Sequence, residues 1–404
     1  MKILFVAGRH LYGDPRRGDG YEFANMLPAL RAMGHSVAHF ESFDRHAHTD
    51  FAALNAAFLE SVERERPDIV FCVLTGYEIW TESLDLVRAT RSATLVTWGA
   101  DDSWKYDQFS RYIMPHVDCY ATTSAAAYAR AQVDGFNQCV LSQWAAADEL
   151  LVPPRPASEC RYKVSFVGAA YGNRRSWVRA LEHRGIHVDC FGHGWPNGPI
   201  PGDEMRTVVR DSIVTLNFGD SGLHWRGVMP YRSRQIKARV FEVPGAGGFL
   251  LTESADGLNR HYQIGEEVVT FESQVELIDR VQYFLSHPDE RDRIARAGHA
   301  RTRAEHTYAH RLALLLDEAL ALRAHRPPVD GPIATITELA AQHRLTPALQ
   351  ALRWLVTMPF RAIWGKERGA RAARRLLHEL SWRIVGATTY QAIGWPGRLF
   401  YRES

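Results

Sequence analysis

The sequence contains no uninterrupted apolar run near the ~20 residues that a bilayer-spanning helix needs, and the apolar part of MKILFVAGRH is too short for a secretory signal. The expectation is a cytoplasmic protein, peripheral on the inner face of a membrane at most. Cysteine is scarce: Cys72, Cys119, Cys139, Cys160 and Cys190 are odd in number, scattered, and form no CxxC pair. That pattern excludes a disulfide framework and a zinc site, and leaves buried thiols as the expectation. Charge of one sign is also missing, with 48 Lys and Arg against 46 Asp and Glu. No nucleic-acid motif accompanies the basic residues, so a nucleic-acid partner is not expected.

What is present is an ordinary globular composition, 46% hydrophobic and 23% charged over 404 residues, enough for two domains. KILFVAG, HSVAHFES, PDIVFCVLT, ATLVTWGADD and VDCYATTS read as strands separated by helical stretches such as YEFANMLPALRAMG, whose apolar face is Phe23, Met26, Leu27 and Leu30. Near-continuous apolar strands alternating with helices imply a parallel sheet covered on both faces. Three prolines between Pro153 and Pro156 interrupt the pattern. The alternation then restarts with YKVSFVGAAYG, IHVDCFG, SIVTLNFG and GGFLLT. The chain therefore reads as two doubly wound α/β domains, 1–150 and 151–330, facing across a cleft, with a helical extension over 331–404. Ligands of such sheets bind beyond the carboxyl ends of the strands, so the loops there hold the candidates.

The first strand leads into GRHLYGDPRRGDGYEF, a glycine-rich turn able to hold an anion on backbone N–H groups, or a mobile surface loop. It matches neither GxGxxG nor GxxxxGK[ST], which removes the dinucleotide and Walker-type readings there. In the second half VSFVGAAYGNRR sets Gly168 and Gly172 after a strand and Arg174 and Arg175 at a helix start. This pattern suits a diphosphate cradle, or an exposed arginine pair capping a turn. Asp101 and Asp102 follow a strand in WGADDSWKYDQFS; either carboxylate could serve as a general base on an acceptor hydroxyl, or as a helix cap. His193, between glycines in FGHGW, is a further candidate for proton transfer. PYRSRQIKARVFEVPGAGGFLLTE crowds Arg232, Arg234, Lys237 and Arg239 before one acid, Glu242, and reads as a helix ended by Gly245, Gly247 and Gly248 before a buried strand. Basic residues beside one acid suit a ligand that is anionic at one end and hydroxylated at the other, such as a nucleotide sugar.

ARVFEVPGAGGFLLTE, GEEVVTFES and HPDERDRIARAGHARTRAEHTYAHR, with WGADDSWKYDQFS, CYATTS and VSFVGAAYGNRR, resemble GT-B glycosyltransferases of the spore-maturation CgeB-like group over roughly residues 1–320. The resemblance implies two Rossmann-like domains, a nucleoside diphosphate sugar donor held mainly by the second, no metal requirement and no cofactor. It implies transfer of a sugar to a glycan, lipid or other envelope-type acceptor. Glu242 matches the second acid of a two-glutamate motif, the one that binds the donor ribose, while position 234, where the first acid belongs, carries Arg234. By similarity Arg174 and Lys237 are the implied contacts of the diphosphate, and Arg234, Arg239, Gly168, Gly172, Gly247 and Gly248 are the remaining candidates for the donor site. The alternatives are a nucleotide-sugar epimerase of the same fold and a non-catalytic nucleotide-sugar-binding or scaffold protein.

The resemblance does not extend to residues 331–404, which hold 11 Lys and Arg against 4 Asp and Glu, and four of the eleven tryptophans. Thr346 and Pro347 read as the cap and first residue of a helix that Pro359 kinks or stops. A second helix places Ala373, Leu376, Leu377, Leu380 and Ile384 in one apolar stripe. Basic amphipathic helices of this kind, over 346–400, suit a membrane bearing anionic lipid, or packing on the protein body or on a second subunit of a homo-oligomer.

Overall fold

The computed structural model describes residues 1–226, 229–329 and 331–404. The chain divides into two compact units, the first built from Met1–Thr122, Ala126–Leu141 and Leu314–Ser404, the second from Thr123–Ala125 and Ser142–Ala313. Two expected boundaries therefore move. The N-terminal part of the first unit closes at Leu141 instead of residue 150, and the unit takes up Leu314–Ser404, so that residues 331–404 are part of it instead of a separate tail domain.

The first unit carries a six-stranded parallel sheet in the order β2-β1-β3-β4-β5-β6, formed by Lys2–Ala7 (β1), Ser36–Glu41 (β2), Ile69–Cys72 (β3), Thr94–Gly99 (β4), Cys119–Thr122 (β5) and Cys139–Leu141 (β6). Every residue of β3 and β4 is buried, which is why these strands are near-continuous apolar runs, broken only by the buried Thr94 and Thr97, and do not alternate. The helix Phe51–Glu65 is capped by Asp50, whose side chain accepts from the Ala53 amide, and it buries Phe51, Leu54, Phe58 and Val62 along one face. The chain runs from β1 outward to β2 and then returns to β3 on the other side. Its topological switch point lies between β1 and β3.

In the second unit Tyr162–Val167 (β7), Asp189–Phe191 (β8), Ser212–Asn217 (β9), Leu250–Glu253 (β12) and Val269–Phe271 (β13) form a parallel sheet in the order β13-β12-β9-β7-β8. The switch point here lies between β7 and β9. Between β9 and β12 the chain makes an antiparallel hairpin, Asp220–Arg226 (β10) and Met229–Arg234 (β11), in which Asp220 faces Arg234. The helix expected through PYRSRQIKARVFE is thus half strand, and its helical part begins only at Arg239. A six-residue strand without apolar alternation gives no period by which sequence could tell it from the start of a helix. The edge strands β6 and β13, three residues each, were likewise too short to register as periodic.

The C-terminal region completes the first unit. Its helix Ile336–Gln342 begins with a full capping box between Thr335 and Glu338. The helix Pro347–Val385 starts as expected, with Thr346 accepting from the Leu349 amide, but runs through Pro359 and breaks instead at Gly365 (φ 76°, ψ 179°). Gly369 then lies against the backbone of Phe360 and Arg361, where a Cβ would stand 2.6 Å from their atoms. Residues 347–364 and 366–385 are therefore two arms of a helical hairpin. The expected stripe splits: Ala373 is buried with Leu399 and Phe400, and Leu377 packs beside them, whereas Leu376, Leu380 and Ile384 are exposed. Ile336, Leu339, Tyr390, Ala392 and Tyr401 enter the same core as Val6, Phe51, Phe58 and Tyr120. Four cysteines are buried and Cys160 partly so, with burial pushing the Cys72 thiol up.

Candidate functional site

The residues brought together at the β7/β9 switch point come from four segments. Glu253, at the end of β12, is 2% exposed, and its Oε2 accepts from the backbone N–H groups of Gly219 (2.9 Å) and Asp220 (3.1 Å). Its Oε1 pairs with Arg234 Nε at 3.0 Å. Burial pushes the Glu253 carboxyl up, and Arg234 with the two amides opposes that shift. Buried Asp220 accepts from Arg232 Nη1 at 2.5 Å, and Gly172 leaves room for it, since a Cβ there would stand 2.9 Å from Asp220 Oδ2. Gly172 also has φ +62°, so a side chain would be disfavoured twice.

Beneath this layer Glu242 is buried in the helix Arg239–Gly245, and its Oε2 accepts from Arg239 Nη1 at 2.7 Å. Arg239 Nε donates to the Val167 carbonyl at 2.9 Å, which ties the acid to the end of β7, next to Gly168. Lys237 lies in the turn between β11 and this helix, its carbonyl accepting from the Val240 amide at 2.9 Å. The result is a rim of arginines backed by three buried acids, at the place where a doubly wound sheet accepts ligands. Asp220 and Glu253 were not among the candidates read from sequence. Their signal was an acid directly after an apolar strand, NFGD and LLTE, a placement more often occupied by a cap.

Several expected contacts lie elsewhere. Arg174 is buried, its Nη1 donating to the Ala169 carbonyl (2.8 Å) and its Nη2 to the Tyr171 hydroxyl (2.9 Å), with burial pulling its basicity down. It braces the loop after β7 and does not reach outward as a diphosphate clamp. Gly168 keeps its expected place at the end of β7, packed against Phe166. Gly247 and Gly248 sit at the opposite end of the sheet, where the chain enters β12. A Cβ on Gly247 (φ +76°) would meet the Val152 carbonyl at 2.6 Å, and one on Gly248 would meet Val209 at 2.5 Å. They are packing glycines, outside the site. His193 follows the edge strand β8, with its carbonyl accepting from the Ala170 amide; its ring is exposed and makes no hydrogen bond among the described residues.

In the first unit the two adjacent aspartates separate. Asp102 is buried, its Oδ1 accepting from the Tyr120 hydroxyl (3.0 Å) and from Ser110, with Thr122 also hydrogen-bonded to the carboxylate. Burial raises its carboxyl, and Gly99 leaves it room, because a Cβ there would collide with the carboxylate. Asp102 therefore latches the end of β4 to β5. Asp101 is half-exposed and pairs with Lys105 at 3.7 Å, whose Nζ also donates to the Thr75 carbonyl after β3 (3.3 Å). Its side chain makes no cap hydrogen bond. Glu22, in the first turn of the helix Tyr21–Ala32, belongs to the same cluster: burial raises its carboxyl, Asp101 adds to the effect and Lys105 opposes it. Glu22 was missed in sequence because a first-turn glutamate is ordinary helix chemistry. The glycine-rich loop after β1 is folded on itself, with a His10–Asp19 bridge and Asp14, beside Arg16, held down to about pKa 2. Among the described residues, no group of three or more His, Cys, Asp or Glu is placed to hold a metal ion.

A family model described as glycosyl transferase-like matches residues 174–317, most of the second unit, including Asp220, Arg232, Arg234, Glu242 and Glu253. None of the curated proteins matches. Among solved structures, sucrose-phosphate synthase from Thermosynechococcus elongatus is similar at 14% identity and TM-score 0.53, over 80% of this chain and 100% of that one. A glycosyltransferase from Rickettsia africae follows at 11% identity and TM-score 0.54, over 80% and 98%. HepE from Anabaena, solved with UDP-glucose, matches at 12% identity and TM-score 0.52, over 80% and 100%. At such identities the likeness is one of fold. The chain has two parallel-sheet Rossmann-like domains that match GT-B glycosyltransferase structures, and a helical C-terminal region.

Proposed function

We propose that the protein is a glycosyltransferase, a hexosyltransferase of the CgeB-like group, that moves a sugar from a nucleoside diphosphate donor to a hydroxyl of a glycan or lipid acceptor. The observation that carries this reading is the site at the β7/β9 switch point: an arginine rim over buried acids, inside the segment that matches the glycosyl transferase-like family. Arg232, Arg234 and Lys237 supply cationic donors to the diphosphate. Glu242, fixed at the end of β7 by Arg239, accepts from the ribose diol. Gly168 and Gly172 let the backbone approach the phosphates. The first acid expected at position 234 is replaced in this reading by Glu253, delivered from β12 and held beside Arg234. Positive charge at the rim stabilises the departing diphosphate, with no bound cation required. On the acceptor side Glu22, raised by burial and by Asp101, takes up the hydroxyl proton.

HepE was solved with UDP-glucose, which makes that the first donor to test. A thermal-shift screen of UDP-, GDP-, ADP- and dTDP-sugars identifies the donor; at a hundredfold excess over Kd a ligand of the folded state adds about 2.7 kcal/mol. Glu242→Ala is expected to abolish that shift, and free nucleoside diphosphate is expected to accumulate when acceptor is added. An unchanged shift in Glu242→Ala removes the ribose assignment. Donor binding without turnover across a broad acceptor panel, or sugar epimerised with the nucleotide intact, overturns the transferase reading.

A further inference from the structure

The first arm of the C-terminal hairpin is built inside out. Along residues 351–364 the exposed positions are Ala351, Leu352, Trp354, Leu355, Met358, Pro359, Ala362, Ile363 and Trp364, with no charged residue among them. Trp354 is 57% and Ile363 69% exposed. The two charged residues of this stretch are half-buried: Arg353 pairs with Glu403, and the backbone of Arg361 lies against Gly369. A solvated helix carries its charges outward and its apolar stripe toward the core, so this face is made for something other than water. The second arm adds the complementary feature. From 361 to 375 the chain has Arg361, Lys366, Arg368, Arg371, Arg374 and Arg375 against the single acid Glu367. Lys366, Arg368, Arg371 and Arg375 are exposed around the turn at Gly365.

We infer that this hairpin docks the first unit on a membrane surface bearing anionic phospholipid. The tryptophan-containing apolar face sinks into the interface and the basic turn meets the headgroups. Fourteen helical residues span about 21 Å, a length that lies in the interface plane and does not cross a bilayer. Among the described residues, no helix is long and apolar enough to span one. A second copy of the chain is the poorer occupant, because the same hairpin offers the basic turn no acidic complement, with Glu367 the one acid against six basic residues between 361 and 375. The inference stands apart from the donor site: Leu355, Ile363, Arg368 and Arg371 take no part in the proposed chemistry.

The test is co-sedimentation of the full chain with phosphatidylcholine vesicles, with or without about one-third phosphatidylglycerol, at low and high salt. The expected result is binding to the anionic vesicles that weakens with salt, and little binding to neutral ones. Leu355→Asp/Ile363→Asp is expected to lose more than about tenfold in partitioning with far-UV circular dichroism unchanged, since both positions are solvent-exposed. Arg368→Glu/Arg371→Glu is expected to lose the preference for anionic lipid. Failure of the unaltered chain to bind, or equal binding by Leu355→Asp/Ile363→Asp, overturns the inference. So does a dimer in sedimentation velocity that the aspartate variant dissolves without any vesicle binding, which would assign the face to a second copy.

Discussion

Glu253 is the residue on which the local structure of the candidate site turns. Its buried carboxylate accepts two hydrogen bonds, from the Gly219 and Asp220 amides, and makes one ion pair with Arg234, whose side chain is 43% exposed. Hydrogen bonds to a charged group contribute about 1.5–3 kcal/mol each, whereas a half-exposed ion pair is worth at most about 1 kcal/mol. Glu253→Ala strands two buried amides and is expected to cost about 3–5 kcal/mol locally. Glu253→Gln keeps an oxygen for the amides and gives up the ion pair, at about 1–2 kcal/mol. Arg234→Met leaves the amide bonds in place and should cost about 1 kcal/mol, while raising the Glu253 carboxyl further through loss of its positive neighbour. Hydrogen exchange over residues 217–221 reads these openings directly, and urea unfolding of the second unit reads the global share. The order expected is Ala, then Gln, then Arg234→Met. If Arg234→Met opens the segment as much as Glu253→Ala, the ion pair and not the amide cradle holds the loop, and the reasoning fails.

Gly247→Ala combines a left-handed backbone with a clash against the Val152 carbonyl, so a loss of about 2 kcal/mol or more is expected with donor affinity unchanged; weakened donor binding at unaltered stability would return this glycine to the site. Burial holds His378 down to about pKa 4, with Arg374 and Lys105 adding to the effect, and its ring packs on Tyr77 and Tyr390. Its folded pKa lies below the unfolded value, so the associated stability is present above pH 6.5 and is lost as pH falls through 4, up to about 3 kcal/mol. Exchange of residues 366–400 should rise over that window, and His378→Asn should flatten the rise. Asp102→Asn is expected to destabilise the first unit by about 1–3 kcal/mol through its hydroxyl partners, leaving turnover of the folded fraction intact. Glu22→Gln should do the reverse, cutting kcat by about a hundredfold or more with the donor-induced thermal shift preserved.

Much of the fold was legible because buried parallel strands need continuous apolar runs. IVFC and TLVTWG could only be interior strands, and their alternation with helices made the two doubly wound units readable in order. The β10–β11 hairpin was not legible: MPYRSR carries no apolar alternation, and its pairing with residues 220–226 is a contact between segments. The site was legible in part for the same reason. Glu242 and the arginines before it were conspicuous by composition, but what they bind within the protein was not. Arg174 looked like a phosphate ligand until its guanidinium met Ala169 and Tyr171, and Gly247 looked like a cradle until its carbonyl neighbours came from Val152 and Pro153. Glycine and arginine types are shared by packing and by ligand binding, so only placement separates the two uses. Glu253 and Glu22 show the converse, ordinary strand-end and helix-start acids whose importance lies in the partners the topology brings to them.

The entry of Tyr390, Ala392 and Tyr401 into the first unit's core has a consequence for synthesis. The second unit is almost continuous in the chain, Ser142–Ala313, and its sheet is whole before the hairpin has been made. The first sheet emerges earlier but lacks part of its core until after residue 400. At ~5–20 residues per second this interval is on the order of tens of seconds. The usual order of domain maturation on the ribosome is thereby reversed, and the N-terminal sheet is the one that needs protection while it waits.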